Sequence, residues 1–211
     1  MRTSEHSSSP AIQGAILGSL LFLAACASPQ PAEMPPQTHQ GLTGLRDQMV
    51  SGKAQIQRAT DAARDLAQRP LAQIEPQINR LAQEVQALEV MATRARGQYE
   101  TQRDQTQQYF AQWSTELETM SKQVREAGME RREQSIASLD ALEKNVDSLR
   151  STFRPYMDAL TESAKYLRTD PTPSGVKSIT PRIQEALDVE KALMEKIDAV
   201  IAQIDVMRGS R

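Results

Sequence analysis

The residues able to do covalent or metal chemistry are few. The chain has one cysteine, Cys26, and two histidines, His6 and His39. All three fall within the first forty residues, so everything from Leu42 onward works without Cys or His. That excludes from the body a Ser-His-Asp or Cys-His nucleophile, zinc held by His or Cys, and the Glu-x-x-His pairs of di-iron bundles. Carboxylates, Tyr and Lys remain, and carboxylate pairs at helical spacing are accounted for by a solvated helix face. The expectation is therefore a protein that is not an enzyme, with no catalytic residue, no bound metal and no cofactor. A lone cysteine also forbids a disulfide within the chain. The one aromatic cluster, Tyr109, Phe110 and Trp113, is a candidate partner surface, because aromatic side chains dominate interfaces. Its helical spacing fits a core position better. Met120 and Met157 read as gap-fillers, and Glu130-Arg131-Arg132-Glu133 as a solvated turn.

Composition points to long helices. Of 211 residues only 4% are aromatic, and Ala, Leu, Ile, Val and Met carry the apolar content beside Gln, Glu and Arg. The net charge of −2 marks no surface for nucleic acid.

The N-terminus reads as an export signal. Residues 11–25 are apolar apart from Gln13, Gly14, Gly18 and Ser19. Such a run is shorter than the roughly 20 residues a membrane span needs, but suits a signal-peptide core. It closes in Leu23-Ala24-Ala25-Cys26, which resembles the lipobox of bacterial lipoproteins. The resemblance implies cleavage after Ala25 and a diacylglyceryl group on the Cys26 thiol, making the membrane a partner through that lipid. Ala27, where an Asp would imply retention at the inner membrane, implies the periplasmic face of the outer membrane of a Gram-negative cell. Residues 26–41, with Pro29, Pro31, Pro35 and Pro36, are expected to form an extended tether.

The elements that follow, over 42–208, are helical. Leu42, Leu45, Met49, Ile56, Ala59, Ala63 and Leu66 recur at intervals of three and four, with Gly52 filling one slot. Arg69-Pro70 and Glu75-Pro76 break the pattern, as a hairpin or, less simply, a kink within one long rod. A heptad seam then runs through Ile74, Ile78, Leu81, Val85, Leu88, Ala92, Ala95 and Tyr99. Gln102 and Thr106 interrupt it, as a solvated stretch or a packing gap, before Tyr109, Trp113, Leu117, Met120 and Val124 resume it. Gly128 is the expected break before a third helix, whose seam includes Ile136, Leu139, Leu142, Val146, Leu149, Phe153, Tyr156 and Leu160, with Pro155 inside it. Residues 169–175 form the strongest loop signal, and a fourth helix is expected to start with Thr180 as N-cap and Pro181 at its first position. Gly209 is placed to end it.

The fold expected is all-α: an elongated antiparallel bundle of about four helices with coiled-coil-like heptad packing. A second helix over about 71–126 would be roughly 84 Å long and the third roughly 58 Å. These lengths predict a three-helix section around Trp113, thick over 109–160 and thin near Pro70.

The C-terminal half resembles an exported, all-helical bacterial family known only as a domain of unknown function. Tyr109–Leu117, Phe153–Met157, Ala159-Leu160 through Tyr166-Leu167, and Ile197, Ile201, Ile204 and Asp205 carry the likeness. The loop with Pro171 and Pro173 departs from the family's more continuous helical approach. The resemblance implies export and a helical fold, and no activity.

The function expected first is a structural or interaction component of the cell envelope, contacting another envelope protein or a second copy of itself. The alternative is a binding module in which the Ala-rich seam between Ala92 and Thr106 opens to admit an acyl chain or other small apolar ligand.

Overall fold

The computed structural model describes residues 36–68 and 74–209. The leader, the Leu23–Cys26 motif, the first part of the tether and Arg69-Pro70 lie outside the described residues. Four helices form one all-α bundle within the unit spanning 31–211: α1 (Pro36–Gln68), α2 (Glu75–Glu118), α3 (Lys122–Thr169) and α4 (Pro173–Met207).

Sequential helices run antiparallel. Gln55 Nε2 on α1 donates to the Glu84 carbonyl of α2 at 3.0 Å, and Gln77 Nε2 to the Asp65 carbonyl at 3.3 Å. The break around residue 70 is thus a hairpin, and Pro76 sits in the first turn of α2, where its missing N–H has no helical acceptor to lose. Arg132 Nε on α3 reaches the Phe110 carbonyl at 2.9 Å, and Gln203 Nε2 on α4 the Ser138 carbonyl at 3.0 Å. Three ion pairs close the ring between α1 and α4: Arg46–Asp205 at 2.7 Å, Lys53–Asp198 at 2.6 Å and Arg64–Glu190 at 2.8 Å. Being partly exposed, they set register more than they stabilise.

Three helix boundaries differ from the expectation. First, α1 begins at Pro36, inside the stretch read as tether, so His39 is an exposed residue of its first turn. Proline at a first helical position forfeits no intrahelical bond, and this turn is held by α2: Gln102 Nε2 donates to the Thr38 carbonyl at 3.3 Å. Gly41 makes that approach possible, because a Cβ there would overlap the Gln102 carboxamide.

Second, α2 and α3 are divided at Thr119–Ser121, and Gly128 lies inside α3. The Thr119 side chain donates to the Glu116 carbonyl at 2.7 Å, satisfying a helix-end acceptor. Gly128 serves close approach instead, since a Cβ there would come within 2.3 Å of Leu117 Cδ2.

Third, α4 starts a full eight residues ahead of Pro181. Thr172 is the N-cap, accepting from the Gly175 N–H at 3.0 Å, with Pro173 next, while Thr180 and Pro181 are interior. The extra turns bury Val176 and Ile179, which the later start would have left unused. At the other end, Gly209 takes the left-handed conformation (φ 70°) expected of it. Pro155 is accommodated within α3.

These shifts reverse the expected profile of the bundle. From the level of Thr38 and Gln102 toward the α1–α2 hairpin, all four helices pack together. Beyond it, α2 and α3 continue alone for about 20 Å to their turn at Thr119–Ser121. The Trp113 end is therefore the two-helix end, and the thick section lies nearer Pro70. The buried side chains fall into two clusters. One centres on Leu81, Leu160, Leu167, Ile183 and Leu193; the other on Leu42, Leu45, Leu142, Val200 and Ile204.

Candidate functional site

A cavity of about 130 Å³ lies where the two core clusters meet, lined by residues of all four helices. Leu45 and Tyr99 reach it from one cluster, Ile56, Leu88 and Ile197 from the other. It exists because the α1–α2 interface is short of side chain at this level. Gly52 faces the lining from α1, where a Cβ would meet nothing nearer than Met91 Sδ at 4.0 Å. Ala92 and Ala95 stand opposite on α2. Two glutamine-sized gaps further along are filled, Gly44 by Gln98 and Gly41 by Gln102; the gap at Gly52 is not.

The lining is apolar with three polar exceptions. Gln48 Oε1 is buried without a hydrogen-bond partner. Arg150 and Arg96 are exposed and mark where the cavity reaches the surface. The Arg150 guanidinium sits 5.1 Å from the centroid of the Tyr99 ring and within 3.5 Å of Asp147. Arg96 has no ion-pair partner among the described residues. The Tyr99 hydroxyl is pushed up to about 12, chiefly by burial and next by the Glu143 carboxylate, with Arg150 opposing. It is a neutral wall of the cavity at physiological pH.

The cavity occupies the first half of the Ala92–Thr106 seam. The second half is not solvated or open: Gln102 and Thr106 are buried and bonded to each other, Thr106 Oγ1 donating to the Gln102 carbonyl at 2.8 Å. Of the lining, Ala92, Ala95 and Gly52 were visible as weak points of the periodic pattern. Gln48 and Arg96 carried no sequence signal, since each lies beside a seam rather than on it.

The aromatic trio is brought together on the two-helix extension. Ring centroids are 5.7 Å apart for Tyr109–Phe110 and Tyr109–Trp113, and 6.5 Å for Phe110–Trp113. Phe110 is buried against α3; Tyr109 and Trp113 are half-buried, packed on the cluster's edge. Burial, then the Glu116 charge, raises the Tyr109 hydroxyl above its ordinary value. Nearer the turn Met120, Val124 and Met129 are exposed.

The other unusual tyrosine is structural. Tyr156 is sealed in the core, donating to the Ile56 carbonyl at 3.2 Å and meeting Thr60 Oγ1 at 2.8 Å. Burial drives its ionisation far above the ordinary range, with the Thr60 bond a partial offset. No described helix is long and apolar enough to cross a membrane. Cys26 and Leu23, Ala24 and Ala25 lie outside the described residues.

No protein-family model, curated protein or solved structure matches this chain.

Proposed function

We propose that the protein is a lipid-anchored component of the bacterial cell envelope that works by contact with another envelope protein. In this reading Cys26 carries the lipid, the outer membrane's periplasmic face is the location, and residues 42–208 are an elongated bundle with heptad-type packing. The observation that carries it is the extension of α2 and α3 beyond the ends of α1 and α4. That extension presents half-buried Tyr109 and Trp113 and exposed Met120, Val124 and Met129 where no other helix of the bundle covers them. The apolar run ending in Leu23-Ala24-Ala25-Cys26 supports the anchor. The scarcity of reactive side chains supports a role in contact rather than in catalysis.

The test is photo-crosslinking in living cells. A photoreactive residue replaces Trp113, Met120, Val124 or Met129 in turn, with Glu89 and Lys191 as controls on the four-helix section. A discrete heterologous band from the extension alone is expected. Crosslinks only between copies of the chain, or equal yields from the controls, would overturn the reading. Labelled palmitate should enter the protein and fail to enter Cys26→Ser, and label in that variant would remove the anchor from the proposal.

A further inference from the structure

The cavity between the two core clusters is independent of how the chain is anchored or what its extension touches. Its walls are aliphatic and aromatic, its volume is about 130 Å³, and a comparable engineered cavity of about 150 Å³ admits a benzene-sized guest. Three polar side chains interrupt the apolar lining, and two of them lack a partner. Gln48 Oε1 is a buried acceptor with nothing donating to it, an arrangement folded proteins seldom leave unanswered. Arg96 is a guanidinium free of ion pairs among the described residues at the edge of the same space, while the second rim arginine, Arg150, is already engaged by Asp147 and the Tyr99 ring. The carboxylates of Glu143 and Asp147 act on the Tyr99 side of the space. Antiparallel pairing of α1 and α2, with Gly44 against Gln98 and Gly52 against Met91, puts Gln48 opposite residues 94–95 and so close to the level of Arg96. An acceptor inside and a cation on the rim at about the same level suit a ligand with a donor close to an anionic head.

We propose that this cavity binds a short single-chain anionic amphiphile bearing a hydroxyl near its head, of the 3-hydroxy acid type and about six carbons long, the length that a benzene-sized space holds. The aliphatic chain fills the space between Gly52, Ala92 and Ala95. The hydroxyl donates to Gln48 Oε1, and the carboxylate pairs with Arg96 at the mouth.

Isothermal titration of the full chain, carrying Cys26→Ser so that no attached lipid competes, tests this in detergent-free buffer. The probes are 3-hydroxyhexanoate, hexanoate and hexyltrimethylammonium, each below its micelle concentration. Saturable 1:1 binding of 3-hydroxyhexanoate is expected, about threefold to tenfold tighter than hexanoate, the worth of one hydrogen bond. Hexyltrimethylammonium should bind more weakly than either. Gln48→Met should erase the preference for the hydroxylated chain, and Arg96→Gln should weaken both acids by roughly threefold. Gly52→Leu should abolish binding with helicity and melting temperature kept. If that larger side chain upsets folding, Gly52→Ala, which the 4.0 Å clearance to Met91 accommodates, should still weaken binding while raising the melting temperature. No saturable binding, equal affinity for the cationic probe, or unchanged affinity in Gly52→Ala and Gly52→Leu would each overturn the proposal.

Discussion

Within α2, Ile78, Leu81, Val85 and Leu88 are all at least 96% sealed from solvent, the most exposed being 4% accessible. Further along the same helix, between Gln107 and Glu118, only Phe110 and Leu117 are buried, although apolar residues recur there too. The two stretches have similar periodicity and the same partner, α3. They differ in the number of neighbours, since α1 and α4 accompany only the first. A helix face is covered fully when three others surround it; with one neighbour it keeps a flank open, and Trp113 and Tyr109 lie half-exposed on that flank. Apolar spacing therefore reports which face a helix offers, and not whether anything arrives to cover it.

The strongest way to break this comparison is large-to-small substitution on either side of it. Leu81→Ala or Leu160→Ala should cost about 3–4 kcal/mol in urea unfolding, and Leu117→Ala about half of that, because a two-helix site can collapse around the lost volume. Equal losses would mean that the extension is packed as tightly as the four-helix section.

Tyr156→Phe should cost about 1–2 kcal/mol at neutral pH by removing the hydroxyl that joins α3 to α1. It should also change the alkaline limb. The folded state holds Tyr156 and Tyr99 protonated above the ordinary tyrosine range of about 10. Their contribution is therefore fully present below that range and is lost as pH rises through it toward the folded values, about 12 for Tyr99. Stability should fall above about pH 10 in the parent, and less steeply in Tyr156→Phe. Ultraviolet absorbance and circular dichroism followed together against pH read both effects.

Replacing 111–131 by a short Gly-rich loop should move the melting temperature by only a few degrees, since this segment contributes little of the core beyond Leu117. A large drop would show that the extension holds up the four-helix section. The smallest effects are at glycines: Gly97→Ala, with open space around it, should gain about 0.5–1 kcal/mol. Gly128→Ala, which drives into Leu117, should gain nothing or lose stability.

Helix number, order and buried faces were legible in the sequence, because Leu, Ile and Val at intervals of three and four admit few other structures. The ends were not. Thr119-Met120-Ser121 contains neither Gly nor Pro, and its turn is closed by backbone bonds from the Thr119 and Met120 N–H groups and one from the Thr119 hydroxyl, which composition does not advertise. Thr172-Pro173 and Thr180-Pro181 are equally good helix starts locally, and only the burial of Val176 and Ile179 chooses between them. Gln102 and Thr106 looked like an interruption because their partner, the first turn of α1, lies more than sixty residues earlier in the chain. The site was half legible: small residues at 92 and 95 signalled a thin seam, but the missing volume also needs Gly52, on another helix, at the same level.

The α1–α4 seam has one more consequence. Pro36 and Met207 leave the bundle at the same end, and the contacts nearest them, beginning with Arg46–Asp205, are stacked one behind another along the two helices. Tension between the chain's two ends meets those contacts singly, as a zipper does, and each can part before the next is loaded.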